Sequence, residues 1–323
     1  MMKHLSLVDN IEIKPPEKMN FRLSLWKPSH FPTRLEIHTI STTWRTFVIN
    51  DQPCGVRIDN LEKCWNVNIY CEKELWCQEM HDKIHDRICK AYGLNENYDD
   101  FNNLCSKNKT LKRIIGPLTG MRSSCPENLF ELSVLAILLQ NTTVKRSRDM
   151  LDIILRLAGT TVRFDDIELA CFCTPKSLLE IGAERLRSDA RVGYRDKTLI
   201  ELAKFFTERP VEFTEGSAED LLATLCMIKG IGPYTAGIVA GSVFHNHRAY
   251  GLDVWNRKII IQTLCLNPEM KDNELQNYLS EYFSPCEGLV VEAIIENTYL
   301  KQPVSQVFLS EKDAKDASCL WPR

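Results

Sequence analysis

No run of apolar residues in this sequence approaches the roughly 20 needed to cross a bilayer, and Met1 to Asn20 carries charges and prolines where a secretory signal has an apolar core. The chain is therefore expected at no membrane and not among secreted proteins. The expected location is the cytoplasm, at the nucleoid of a prokaryote, or the nucleus of a eukaryote. An excess of positive charge is also lacking: 40 Lys and Arg face 43 Asp and Glu, for a formal net charge of -3. That argues against coating nucleic acid by bulk electrostatics, and leaves room for local phosphate contacts made by backbone amides. No repeat or low-complexity tract is evident. Metal-ligand spacing is missing as well. The 13 cysteines are scattered, Cys171 and Cys173 stand one residue apart, and His245-x-His247 has no acidic or cysteine partner nearby in sequence. These features read as reduced core thiols and no protein-built metal site.

What is present suffices for two domains. The 323 residues are 44% hydrophobic and 26% charged, which supplies an ample core and excludes a disordered chain. From Arg34 to Tyr70 short alternating runs (Leu35, Ile37; Val56, Ile58; Trp65, Val67, Ile69) are separated by Asn, Asp, Gly and Pro. That pattern predicts an antiparallel sheet with one buried face. After Glu72 the period turns helical, with Ile84, Ile88 and Tyr92 on one face. The expected class is α+β: a β-rich unit over 1–78, an all-helical core over 79–302 and a loose tail over 303–323. Within the core, Pro126 opens a strongly apolar helix ending at Leu139, followed by Gln140-Asn141-Thr142-Thr143 and then Lys145, Arg146 and Arg148. Such a polar helix end is either plain capping or a nucleic-acid-facing edge. Leu104 to Arg122 is basic, and reads equally as a phosphate track or a solvated face.

The chain is organised around Leu225-Cys-Met-Ile-Lys-Gly-Ile-Gly-Pro-Tyr-Thr-Ala236. Helical periodicity from Leu221, capped by Ser217 and Asp220, breaks at Gly230-Ile-Gly232 and resumes after Pro233, a residue suited to a first helical turn. This predicts a helix-hairpin-helix over 221–244 whose backbone amides can hold a phosphate. Upstream, Tyr194 and Arg195 lie in a loop suited either to wedging into an opened base step or to connecting two helices. Downstream, Leu252-Asp253-Val254-Trp255 places a carboxylate at a helix start. Asp253 alone reads as an N-cap. Behind a phosphate-binding hairpin, buried or semi-buried, it can stabilise an oxocarbenium-like sugar or activate a nucleophile.

Together, Ile228-Lys-Gly-Ile-Gly-Pro-Tyr-Thr-Ala236 and Leu252-Asp-Val-Trp255 closely resemble the helix-hairpin-helix, Gly/Pro-rich, Asp superfamily of DNA glycosylases. With a β-rich region in front, the chain is similar to the branch of inducible 3-methyladenine and 8-oxoguanine glycosylases. The resemblance implies a base-excision-repair enzyme that flips a damaged purine, an alkylated one such as 3-methyladenine, out of double-stranded DNA and cuts its N-glycosidic bond. It implies Asp253 as catalytic carboxylate, Gln140 and Asn141 in the space left by the flipped nucleotide, and Tyr194 and Arg195 beside the estranged base. Lys229, Gly230 and Gly232 would meet the phosphate, with no cofactor beyond a monovalent cation at the hairpin carbonyls. A monomer is expected. Tyr234, Trp255 and Glu296 are assigned to the base pocket, although Trp255 is also suited to packing and Glu296 to a helix partner. One departure bears on mechanism: bifunctional members carry a nucleophilic lysine where this sequence has Tyr234. A phenol is no substitute for an amine that must become an imine, and hydrolysis is the expectation. The alternatives are an 8-oxoguanine glycosylase with lyase activity, Lys229 being the nearest amine, and a non-catalytic helix-hairpin-helix DNA-binding protein.

Overall fold

A computed structural model describes residues 2–30, 33–209, 217–301, 310, 313 and 314. The chain opens with β1 (Met2–His4), β2 (Ser6–Ile13) and α1 (Phe21–Leu25), followed by β3 (Glu36–His38), β4 (Thr42–Ile49), β5 (Gln52–Asn60) and β6 (Trp65–Cys71). The antiparallel sheet runs in the order β2-β6-β5-β4-β3. Asn50 and Asp51 both take positive φ (51° and 58°), the conformation that a two-residue turn between twisted strands demands. That turn pins the β4–β5 register, Ile49 opposite Gln52 and Arg45 opposite Val56.

One sheet face buries Val56, Ile58, Trp65, Val67 and Ile69 against Ile84 and Ile88 of α2 (Gln78–Ala91). The other face is covered too, which alternation alone did not predict. A hairpin of β7 (Thr161–Phe164) and β8 (Ile167–Ala170) sits inside the region expected to be all helical, and β1 pairs with β7 in parallel. The all-helical reading of 79–302 is thus corrected, and β2 extends the sheet into a region where sequence reading placed no strand. The physical reason is length: four-residue strands around Asp165 and Asp166, both at positive φ, leave too few alternations to register as a pattern. Phe164 enters the space above Gly55, where a Cβ would stand 2.6 Å from the ring.

The helical part continues with α3 (Asp99–Lys107), α4 (Lys109–Ile115), α5 (Leu129–Leu139), α6 (Val144–Ala158), α7 (Pro175–Ser188) and α8 (Arg195–Glu208). It ends with α9 (Ala218–Cys226), α10 (Pro233–Val243), α11 (Val254–Leu264), α12 (Asp272–Phe283) and α13 (Glu287–Leu300). Helix α5 starts at Leu129, three residues past Pro126, because Asn128 and Glu131 form a reciprocal capping box. Helices α5 to α10 share one core around Val134, Ile137, Leu199, Leu225 and Val239. Helices α4, α11, α12 and α13 share another around Leu111, Ile260, Leu275 and Ile294. The crossing from α10 to α11, residues 244–253, joins the two. The expected tail lies largely outside the described residues; Ala314 within it is buried with Leu5 and Val162.

Because the Gly55 space is occupied by a buried aromatic ring, Gly55→Ala is expected to cost about 1–3 kcal/mol through overpacking. Denaturant unfolding measures this, and adding Phe164→Leu should recover much of the loss. A neutral Gly55→Ala would mean the ring is free to move.

Candidate active site

The turn between α9 and α10 is held from below and open above. Ile228 and Ile231 are buried, while Lys229, Gly230 and Gly232 face solvent. Gly230 takes φ +98°, and a Cβ there would strike the Thr198 side chain of α8. Both the conformation and the space require glycine. Gly232 is different: it is extended, caps α10, and has nothing within 4 Å of an added Cβ. Its freedom is therefore room for something to approach, at a helix end where backbone amides lack internal partners. Carbonyls of Thr224, Leu225 and Ile228 already accept hydrogen bonds within the turn.

Asp253 is the N-cap of α11, with Oδ1 accepting the amide of Asn256 at 2.7 Å. Its Oδ2 accepts the hydroxyl of Tyr234 from the first turn of α10 at 3.1 Å. The cap and the candidate catalytic group are the same carboxylate. Burial, and then the neighbouring Asp253 charge, push the Tyr234 phenol up to about 12, so it remains a donor. Asp253 itself is exposed, contrary to the buried or semi-buried carboxylate expected, at a helix start where Val254 beside it is 88% exposed. Trp255 is 41% exposed and leans on Tyr299 with ring centroids 5.4 Å apart, so packing takes one of its faces.

The polar end of α5 reaches the same region. Gln140 Nε2 donates to Thr235 Oγ1 in α10 at 3.1 Å. Asn141, at φ 47°, points its amide at the Tyr194 hydroxyl at 3.4 Å. Tyr194 is exposed. Arg195, expected beside it on the outside, turns inward instead and is only 7% exposed. Its guanidinium donates to the carbonyls of Ile137 and Val192, both at 3.1 Å, and to that of Gln140. At the end of α5 the Ile137 carbonyl, which also accepts the Gln140 amide, and the Gln140 carbonyl, beyond the last turn, draw it in. On the basic stretch, Lys107, Lys109, Lys112 and Arg113 are solvated, whereas Arg122 stacks on Tyr98 and donates to the Glu96 carbonyl.

A cavity of about 220 Å³ opens between α10, the 245–251 segment and α13, lined by Ile238, Gly251 and Glu296 among others. Tyr234 neighbours Gly251, where a Cβ would lie 3.2 Å from its hydroxyl, but of the three residues expected in a base pocket only Glu296 lines this cavity, Tyr234 and Trp255 lying outside it. Glu296 is 2% exposed and accepts the amide and hydroxyl of Ser29, at 2.7 and 2.6 Å. Burial raises its carboxyl, with Lys27 opposing. Sequence reading missed Lys27 and Glu292, which also line the cavity. Nothing local distinguishes them, because the two meet across 265 residues of chain. It also missed the acidic partner of His245 and His247: Glu96 reaches both, at 2.6 and 2.8 Å. Among the described residues no group of three His, Cys, Asp or Glu side chains is placed to hold a metal.

Neither a family model nor a curated protein matches this sequence. Solved structures do. The 3-methyladenine DNA glycosylase of Archaeoglobus fulgidus superposes with a TM-score of 0.74 at 18% identity, over 91% of this chain and 99% of that one. MBOgg1 in complex with a low-affinity DNA ligand gives 0.70 at 16%, over 91% and 97%. The apo 8-oxoguanine glycosylase/lyase of Clostridium acetobutylicum gives 0.68 at 15%, over 91% and 99%. The chain has the fold of these DNA glycosylases.

Raised above its ordinary value of 10.0, the Tyr234 phenol should ionise near 12 in a near-ultraviolet difference titration, and Asp253→Asn should bring that value down. The sign follows from the neutral phenol being favoured: its stabilising contribution holds below the ordinary tyrosine value and is lost as pH rises through about 12. An unchanged titration in Asp253→Asn would deny the contact.

Proposed function

We propose that this protein is a DNA N-glycosylase that draws a damaged purine out of double-stranded DNA and hydrolyses its N-glycosidic bond, acting as a monomer and without a covalent enzyme–sugar intermediate. Alkylated bases such as 3-methyladenine are the foremost candidates. The observation that carries the reading is the Tyr234 hydroxyl on Asp253 Oδ2 at 3.1 Å, at the start of α11, the second helix after the turn between α9 and α10. A carboxylate fixed by two donors has its lone pairs aimed before substrate arrives, and electrostatic stabilisation of a developing oxocarbenium centre depends on that preorganisation. Asp253 faces the approaching anomeric carbon, or the water that attacks it. Tyr234 holds its orientation and stays protonated.

The remaining residues divide the work of holding an opened duplex. Lys229, Gly230, Gly232 and the amides of α10 meet the phosphate backbone. Gln140, Asn141 and Tyr194 fill the space that the flipped nucleotide leaves, and Arg195 supports them from beneath. Trp255 and Tyr299 form an aromatic rim, and Glu296 belongs to the cavity wall. A second reading, an 8-oxoguanine glycosylase with lyase activity, draws on the likeness to the Clostridium acetobutylicum structure. Against it stands Tyr234 where a Schiff-base lysine is required, with Lys229 solvated on the outside of the turn.

In single-turnover assays on duplexes carrying 3-methyladenine or 7-methylguanine, Asp253→Asn should slow base release by roughly 100- to 10,000-fold, and Tyr234→Phe by about tenfold. Borohydride should trap no protein–DNA adduct. Full activity in Asp253→Asn would sink the mechanism, and a trapped adduct would favour the lyase reading.

A further inference from the structure

The segment that crosses from α10 to α11 carries Asp253 at its far end, and apolar burial does not fix it: no residue from Gly241 to Lys258 is fully buried. A stretch with so little burial opens easily unless polar contacts hold it. Those contacts start at His245-x-His247. Glu96, from the segment between α2 and α3, places Oε2 2.8 Å from His247 Nε2 and Oε1 2.6 Å from His245 Nδ1. All three side chains are less than a quarter exposed. Burial would raise the Glu96 carboxyl, but His245 and then His247 hold it below its ordinary value, so the anchor keeps its charge.

Glu96 has little freedom of its own. Gly93, at φ +59°, comes so near that a Cβ there would stand 2.5 Å from Oε1. The Glu96 carbonyl accepts Arg122, whose guanidinium stacks on Tyr98, and Tyr98 meets the His247 ring edge-on with centroids 5.0 Å apart. From this anchor toward Asp253 the backbone is gripped repeatedly. The His247 carbonyl accepts the amides of Gly288 and Leu289, at 2.8 and 3.3 Å, and so supplies the cap of α13 that the Cys286 side chain does not. Ala249 lies between two glycines: a Cβ on Gly241 would stand 2.6 Å from its methyl group, and one on Gly288 2.3 Å from its carbonyl oxygen. Asn256 Nδ2 then donates to the Gly251 carbonyl at 3.1 Å, while the Asn256 amide holds Asp253 Oδ1. An exposed carboxylate on such a segment stands where the segment puts it.

We propose that Glu96, together with His245 and His247, forms a positioning cluster for Asp253, setting where that carboxylate stands relative to Tyr234 and to the turn between α9 and α10. The cluster acts through the backbone of 247–253 and touches no reacting atom. The inference rests on the glycosylase reading with Asp253 as its carboxylate. It gives His245-x-His247 a task that neither metal binding nor core packing supplies.

The test compares wild type, Glu96→Ala and Glu96→Gln, with thermal melts to establish folding. Single-turnover base release is followed on duplexes carrying 3-methyladenine or 7-methylguanine, with enzyme in saturating excess so that a reduced active fraction does not alter the rate constant. Glu96→Ala should lower that constant roughly 10- to 100-fold while DNA affinity is unchanged, and Glu96→Gln, which keeps the shape and one acceptor oxygen, should recover part of the loss. If Glu96→Ala does not fold, Glu96→Gln decides through a smaller drop of the same kind. A lowered melting temperature with the wild-type rate constant makes the cluster merely structural and overturns the proposal, leaving the glycosylase intact. If wild type releases neither base, the glycosylase reading fails, and the Tyr234 titration judges the positioning alone. Glu96→Ala should then bring the phenol down from about 12, as Asp253→Asn does; an unmoved phenol overturns the proposal.

Discussion

The guanidinium of Arg195 is the constraint on which the candidate site depends. An arginine with three backbone carbonyls around it has no conformational choice left, and those carbonyls belong to the end of α5, to the residue after it and to the loop before α8. It closes the end of a helix that has no glycine cap and fixes where Gln140 and Asn141 emerge. From there the contacts step outward: Gln140 to Thr235 of α10, Asn141 to Tyr194, and Tyr234 to Asp253 of α11. Each link is a modest hydrogen bond, worth about 0.5–1.5 kcal/mol alone. Their value lies in joining groups from four segments over a rigid core.

Charge is arranged with the same economy. Burial would raise the Glu36 carboxyl, yet Arg45 and His30 hold it well below the usual carboxylate range. The same Arg45 reaches Glu127, just before α5. Burial would lower Lys27, but Glu292 and then Glu296 raise it, so it keeps its proton. The sheet, the segment after α1 and α13 are thus connected by ions whose charge states are mutually enforced. A protein with almost no net charge has concentrated its electrostatics between its parts.

What could be read from the sequence was whatever a few neighbouring residues decide. Ser217 with Asp220 makes a capping box, Pro233 stands at the first position of α10, and Gly230 takes the positive φ that its residue type suggested. The sheet over Arg34 to Tyr70 was legible because alternation persists there for several strands. The β7–β8 hairpin was not, being four residues a side. Arg195 looked like a surface residue because its neighbours are Tyr194 and Asp196; only the carbonyls of a distant helix end explain its burial. Lys27, Glu292 and Glu96 were invisible for the same reason. A buried charge is defined by its partners, and those partners lie far away in the chain.

The contact between Gly230 and Thr198 links two parts of the surface that otherwise look separate. Thr198 sits one turn into α8, the helix whose first residues are Arg195 and, just before it, Tyr194. The turn with its open amides and the exposed aromatic are thus mounted about one turn apart along the same side of α8. Their separation is set by helical pitch and cannot be adjusted by loop motion. In the DNA complex proposed above, such a fixed separation would act as a ruler: with the turn on one phosphate, the aromatic would fall at only one step along the strand.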